Sequence, residues 1–258
     1  MNQLTITRMT PADLGMVIDW AAQEGWNPGL CDAQAFMAAD PAGFLMARHQ
    51  GEPVASISAV RYGQDFGFIG LYIVRPKYRG QGIGWTTWQA GMARLRGRTI
   101  GLDGVIAQQG SYRRSGFTLH HRNIRFEGRA APAQALACPA GTRVVPLGSI
   151  AFERLSALDR LFFPAGRSAF LASWVQQPGS HGLALLQDEA LVGYGVIRPC
   201  RVGYKIGPLF ADSPDSAAAL FAGLSADAPA GAPLFLDVPE CNPAAIALAE
   251  RHGMTVMF

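Results

Sequence analysis

Val74-Arg75-Pro76-Lys77-Tyr78-Arg79-Gly80-Gln81-Gly82-Ile83-Gly84 is the stretch that decides how this chain is read. It leaves an apolar run, Phe68-Ile69-Gly70-Leu71-Tyr72-Ile73-Val74, that reads as a buried strand stopped by Pro76, and it enters residues 83–96, which suit a helix. Free main-chain N–H groups at a helix start attract anions, and glycines let a diphosphate approach the backbone without meeting a Cβ. The order strand, proline stop, three alternating glycines and helix therefore reads as a phosphate cradle, where the plainer reading is a glycine-rich turn that caps a helix. Spacing separates the possible carriers. A P-loop needs GxxxxGK[ST], and neither Lys77 nor Lys205 precedes Ser or Thr. A dinucleotide fingerprint begun at Gly80 and Gly82 needs a third glycine where Trp85 stands, although Asp103 does follow about 20 residues on. The spacing that fits is Arg-x-x-Gly-x-Gly, filled by Arg79, Gly82 and Gly84.

Working outward, Leu4, Ile6 and Arg8 alternate as a strand, and Thr10-Pro11-Ala12-Asp13 reads as a helix start with Thr at the N-cap. Helices are expected near 13–24 and 32–39, strands near 44–49 and 53–61, a strand at Arg98–Val105, a helix at Gln108–Ser115 and a last strand at Thr118–Phe126. After the Ala-, Pro- and Gly-rich stretch 128–141 the same order restarts. A shift of 137 residues pairs Ala55 with Val192, Arg61 with Arg198, Gly70 with Gly207, and Gly116-Phe117 with Gly253-Met254; a shift of 134 pairs Leu102-Asp103 with Leu236-Asp237. The chain reads as one α/β unit written twice: residues 1–128, a linker at 129–141, and residues 142–258.

Hydrophobic residues make up 49% and charged residues 16% of the 258, enough apolar material for a packed core without staples or metals. The net charge of +3 is too even for a nucleic-acid binder. Cys31, Cys138, Cys200 and Cys241 form no CxxC pair and read as reduced thiols; no metal site is expected. The start MNQLTITRMT has no leader pattern and no run is long enough to span a bilayer, so a cytoplasmic protein without membrane contact, monomer or homodimer, is the expectation.

With RGQGIG after a buried strand, and with Tyr112-Arg113-Arg114-Ser115-Gly116-Phe117 matching a YxxxGF helix ending, residues 3–127 resemble the GNAT superfamily of acyl-CoA-dependent N-acetyltransferases. The whole chain resembles a bacterial subgroup with an appended, degenerate second GNAT-like domain. The resemblance implies tandem domains, each a mixed sheet flanked by helices, with the first binding acetyl-CoA and the second serving the substrate or an interface. The strand before the loop would splay from its neighbour to admit the pantetheine arm. Cofactor contacts would fall on Tyr72, Ile73, Val74, Arg79, Gly80, Gln81, Gly82, Ile83, Gly84 and Tyr112. The expected reaction is direct attack of a primary amine, on a small molecule or a peptide, upon the thioester. The competing class is an acyl-CoA sensor that binds without turnover.

Such a transfer needs an oxyanion donor and a proton for the departing sulfur. By resemblance the Val74 main-chain N–H polarises the carbonyl. Tyr112 is the candidate acid, since a phenol can give a hydrogen to a leaving thiolate; the plainer reading is a helix aromatic packed on the sheet. Glu24 is the candidate base, with Trp26 as a possible acceptor wall and Asp103 and Asp237 as further substrate-side candidates, each weighed against a capping or packing role. His120 and His121, adjacent on the expected strand, should face opposite ways, and Trp85 and Trp88 read as core. The shift carries Arg79–Gly84 onto Ser216–Phe221, where every glycine is gone, so one CoA per chain is expected.

Overall fold

The computed structural model describes residues 4–132 and 138–257; residues 133–137 of the expected linker lie outside the described residues. It divides into two compact units, Met1–Gly116 with Pro164–Ser173, and Phe117–Phe163 with Trp174–Phe258.

The first unit runs β1 (Leu4–Arg8), α1 (Pro11–Gln23), α2 (Asp32–Ala39), β2 (Phe44–His49), β3 (Glu52–Tyr62), β4 (Phe66–Val74), α3 (Ile83–Arg94), β5 (Thr99–Leu102) and α4 (Gln109–Arg114). Its sheet has the order β1-β2-β3-β4-β5, antiparallel until the final parallel pair β4–β5. The expected start of α1 forms a full capping box. Thr10 Oγ1 accepts from Asp13 N at 3.1 Å and Asp13 Oδ2 accepts from Thr10 N at 3.0 Å, an arrangement worth about 1 kcal/mol. Seven successive residues of β3, Val54–Val60, are buried, as a central strand covered on both faces requires. Leu14, Val17, Trp20, Phe44, Met46 and Ile73 fill one side of the sheet, and Ala47, Val54, Ala55 and Ile83 the other.

The second unit contains β6 (Asn123–Arg129), β7 (Thr142–Pro146), α5 (Phe152–Phe162), β8 (His181–Gln187), β9 (Ala190–Pro199), β10 (Tyr204–Ala211), α7 (Pro214–Ala226), β11 (Pro233–Pro239), α8 (Pro243–Arg251) and β12 (Thr255–Val256); α6 (Ser168–Trp174) ends at its boundary. Its sheet order is β12-β6-β11-β10-β9-β8-β7. The repeat read from the sequence has structural counterparts. Gly70 and Gly207 both follow the last residues of their strands that pair in parallel with the next strand, and Gly116 and Gly253 both take positive φ just beyond α4 and α8.

Two sequence expectations change here. The strand placed at Thr118–Phe126 is Asn123–Arg129, and it completes the second sheet by pairing with β11 over seven residues and with β12, so the compact units part at Gly116 and not at 128. Partner choice is a long-range matter that alternation along one strand does not encode. His120 and His121, expected on opposite faces of that strand, lie in the irregular segment before it, with their Nδ1 atoms 2.8 Å apart.

Candidate active site

The site begins where a parallel pair comes apart. β4 and β5 are paired from Phe66–Thr99 to Ile69–Leu102, and beyond that point no β5 residue faces β4. A bulge re-aims the strand just there. Between Ser56 and Ser58 the register with β3 shifts, Leu71 takes φ 44°, and the buried Ser56 hydroxyl donates to Leu71 O at 2.7 Å. Farther along, Arg75 N donates to Val54 O at 3.0 Å, which makes Val54 and Arg75 a hydrogen-bonded pair. The neighbouring pair Ala55–Val74 is then non-hydrogen-bonded, so the N–H and C=O of Val74 point away from β3, toward the gap that β5 has vacated. Val74 O accepts from Arg79 Nε at 2.8 Å.

After Val74 the chain makes a 3-10 turn, Pro76–Tyr78, and reaches Gly80 (φ 76°) and Gly82 (φ 80°, ψ −11°), the N-cap of α3. Both glycines are in the left-handed region, where a side chain costs about 1–2 kcal/mol. A Cβ at either would meet nothing within 4 Å, so the space above the loop is open. Gly84 is needed for a different reason: a Cβ there would lie 2.8 Å from Tyr72 Oη and 3.1 Å from Val74 Cγ2, which lets α3 begin hard against the end of β4. No side chain caps α3 and no acid stands in its first turn. Its leading N–H groups thus present an uncompensated positive end beside the gap. A cavity of about 250 Å³ opens on the flank of the loop, lined by Leu4, His49, Gln81, Gly82, Ile83 and Thr86.

The loop is held from several sides. Gln81 Nε2 donates to Lys77 O at 2.9 Å. Glu52 accepts from Arg75 at 2.7 Å and from the Tyr78 hydroxyl. The Tyr78 bond first, then Lys77 and, to a lesser degree, Arg75, hold the Glu52 carboxyl down to about 2 against the opposing effect of burial. This brace joins β3 to the loop across more than 20 residues, and no local signal in the sequence announces it.

An aromatic row lines the α3 side of the gap. The rings of Tyr72 and Trp88 are 5.4 Å apart and those of Trp88 and Tyr112 5.8 Å. Gly104 lies beneath the Tyr112 ring, where a Cβ would come within 2.3 Å of Cε2. Burial raises the Tyr112 phenol above its ordinary value of 10.0, opposed by the Val105 main-chain N–H bonded to its oxygen. Burial, then proximity to Tyr112, raises Tyr72 likewise. Both phenols therefore keep their protons at neutral pH, and Tyr112 has one to give.

The remaining sequence candidates divide. Glu24 ion-pairs with Arg79 Nη2, which ties the end of α1 to the loop. Ile73 is 4% exposed and turns its side chain into the core, leaving only its main chain for a ligand. Trp26 packs against the same core cluster. Asp103 is exposed and follows Leu102, the last β5 residue paired with β4. Asp237 lies in the second unit, where both its oxygens accept from Arg125, at 2.7 and 2.9 Å, with Lys205 Nζ at 3.9 Å. Trp88 is core at 4% exposure, but Trp85, expected beside it, is 59% exposed.

The second copy keeps the divergence and loses the cradle. β10 pairs with β11 over only Tyr204–Ile206. The helix that follows, α7, starts at Pro214 with Ser213 as N-cap, whose Oγ accepts from Ser216 N at 3.2 Å, and Asp215 stands in its first turn. Its N-terminus is satisfied from within and faces an acid. Ala217, Ala218 and Ala219, opposite the loop of the first copy, are in the helix body, and Ala249, opposite Tyr112, is fully buried.

A strand splayed beside an uncapped, glycine-started helix, with a phenol in the aromatic row that lines the gap, defines an acyl-transfer enzyme of the GNAT type. Residues 14–117 match the Acetyltransferase (GNAT) family model and residues 155–258 a second Acetyltransferase (GNAT) domain model, so the chain belongs to the GNAT family and carries two such domains in tandem. Holothin acyltransferase of Pseudoalteromonas sp. (strain SANK 73390) is 29% identical over 243 residues, 94% of this chain and 81% of that one. In fold, the chain is similar to a putative acetyltransferase from Pyrococcus horikoshii (TM-score 0.80, 23% identity, 98% of this chain and 86% of that one). It is also similar to a tandem GNAT protein from the clavulanic acid biosynthesis pathway (TM-score 0.66, 16% identity, 98% and 95%). Among the described residues no helix is long and apolar enough to cross a membrane.

Proposed function

We propose that the first domain transfers the acetyl group of acetyl-CoA to a primary amine of a small-molecule acceptor. The observation that carries this reading is the open α3 N-terminus at Gly82 set directly beside the gap between β4 and β5. The open space above Gly80 and Gly82, which a side chain would enter, suits a pyrophosphate on the N–H groups of residues 80–84. When bound, acetyl-CoA supplies a thioester that a neutral amine can attack.

The chain's own share is positioning and two hydrogen bonds. Val74 N–H, aimed into the gap, donates to the carbonyl oxygen as charge builds there. The Tyr112 hydroxyl gives its hydrogen toward the departing sulfur, help worth about 10²–10⁴-fold in rate. Glu24, held at the end of α1 by its ion pair with Arg79, is placed to steady the loop in place of serving as the base. Asp103, following the end of β5, is the carboxylate candidate on the acceptor side. The relative's name gives holothin as the compound it acylates; a small-molecule acceptor is the part of that description extended to this chain.

Titration calorimetry with CoA and acetyl-CoA tests the donor, and thiol release from acetyl-CoA across a panel of small amines tests the transfer. Saturable heat with both ligands and amine-dependent thiol release are expected. No heat with either ligand would overturn the reading.

A further inference from the structure

Trp85 is a large exposed aromatic side chain beside the loop that neither the core nor the site uses. It is 59% exposed in the first turn of α3, while Ile83, Thr87, Trp88 and Gly91 of the same helix are buried. It stands three positions before Trp88, so the two share a flank of the helix, and Trp88 contacts Tyr72 and Tyr112 in the row that lines the gap. Side chains of a helix lean toward its N-terminus, which carries the indole back over the turn where the N–H groups of residues 83–85 open. An exposed tryptophan is thus set level with an anion cradle, on the flank facing the gap, and no acidic residue shares that turn.

We propose that Trp85 is the stacking platform for the adenine ring of the coenzyme, and so the residue that makes the enzyme prefer the full nucleotide carrier over a bare phosphopantetheine thioester. This rests on the acyl-CoA reading. A diphosphate held at the start of α3 bears the pantetheine arm on one side and the adenosine on the other. With the arm directed into the gap, the purine is left at the solvent side of the first turn, where a flat indole face can meet it. Base–aromatic stacking of this kind is worth about 5- to 150-fold in affinity.

The test divides the coenzyme into its halves. Dissociation constants for CoA, for adenosine 3′,5′-bisphosphate and for 4′-phosphopantetheine are measured, directly or by competition, on the full-length protein and on Trp85→Ala and Trp85→Phe. Trp85→Ala should weaken CoA and the bisphosphate by about 5- to 150-fold, leave phosphopantetheine within twofold, and keep the wild-type melting temperature; Trp85→Phe should recover most of the loss. Unchanged CoA affinity in Trp85→Ala would overturn the platform, and so would an equal loss for all three ligands, which would mean that the indole shapes the loop. Wild-type protein that binds none of the three would overturn the acyl-CoA reading itself, a result distinct from either of those.

Discussion

Replacing Tyr112 with Phe removes one oxygen and leaves the ring between Trp88 and Gly104. The folding effect is small, because the lost partner is the main-chain N–H of Val105, a residue 44% exposed that water can reach. A net hydrogen bond of about 0.5–1.5 kcal/mol corresponds to a fall of about 1–6 °C in melting temperature for a chain of this size. The catalytic effect should be far larger. If the hydroxyl supplies the hydrogen for the leaving sulfur, kcat for thiol release falls by about 10²–10⁴-fold, a rise in barrier of about 3–5 kcal/mol, while the affinity for acetyl-CoA stays within a few-fold. The pH profile adds an independent reading. Burial holds the phenol above its ordinary value of 10.0, so the alkaline limb due to Tyr112 should fall above pH 10 in the wild type and vanish in the variant. The assay is thiol release with an amine that the panel shows to be accepted, run beside calorimetry on the same preparations. A kcat within threefold of wild type, with folding and coenzyme affinity intact, would refute the acid role and leave Tyr112 as a packing residue.

Gly82→Ala should lower stability by about 1–2 kcal/mol through its left-handed backbone, and Gly82→Trp should abolish binding of CoA in a folded protein; unchanged CoA affinity in the folded Trp variant would refute the cradle. Calorimetry should return one CoA per chain, because α7 is capped by Ser213 and faces Asp215; a stoichiometry of two would contradict this. Lys205, 7% exposed, has its ammonium pulled down to about 8 by burial, with Asp237 opposing. The unfolded chain holds that proton up to about 10.5 and the folded chain releases it near 8, so stability should rise with pH across that window, by about 3 kcal/mol at most. Lys205→Met should raise the melting temperature at pH 7 and flatten that rise, which thermal scans from pH 7 to pH 10 would show.

The legible part of this protein is the part written locally. The capping box at Thr10, the stop at Pro76 and the three glycines before α3 are short-range devices, and each is found where the sequence indicates. The repeat is legible for the same reason, since Gly116 and Gly253, both at positive φ, mark matching places in the two copies. What depended on distant partners was not. The strand following α4 has ordinary alternation, and nothing in it tells that it pairs with β11 and β12. The pairing of Glu24 with Arg79 spans 55 residues, and without it Glu24 reads as a free carboxylate. Trp85 reads as core in the sequence but is exposed, because a helix spacing of three fixes a shared flank but not how far that flank is covered at each turn.

Strand β6 is chemically part of the N-terminal half and structurally part of the other. Its seven pairs with β11 and its two with β12 mean that a gene split anywhere between 130 and 141 would deliver a C-terminal fragment with a bare strand edge in the middle of its sheet, an invitation to aggregate. A break near Gly116, where the compact units part, would instead leave β6 with the sheet that it completes.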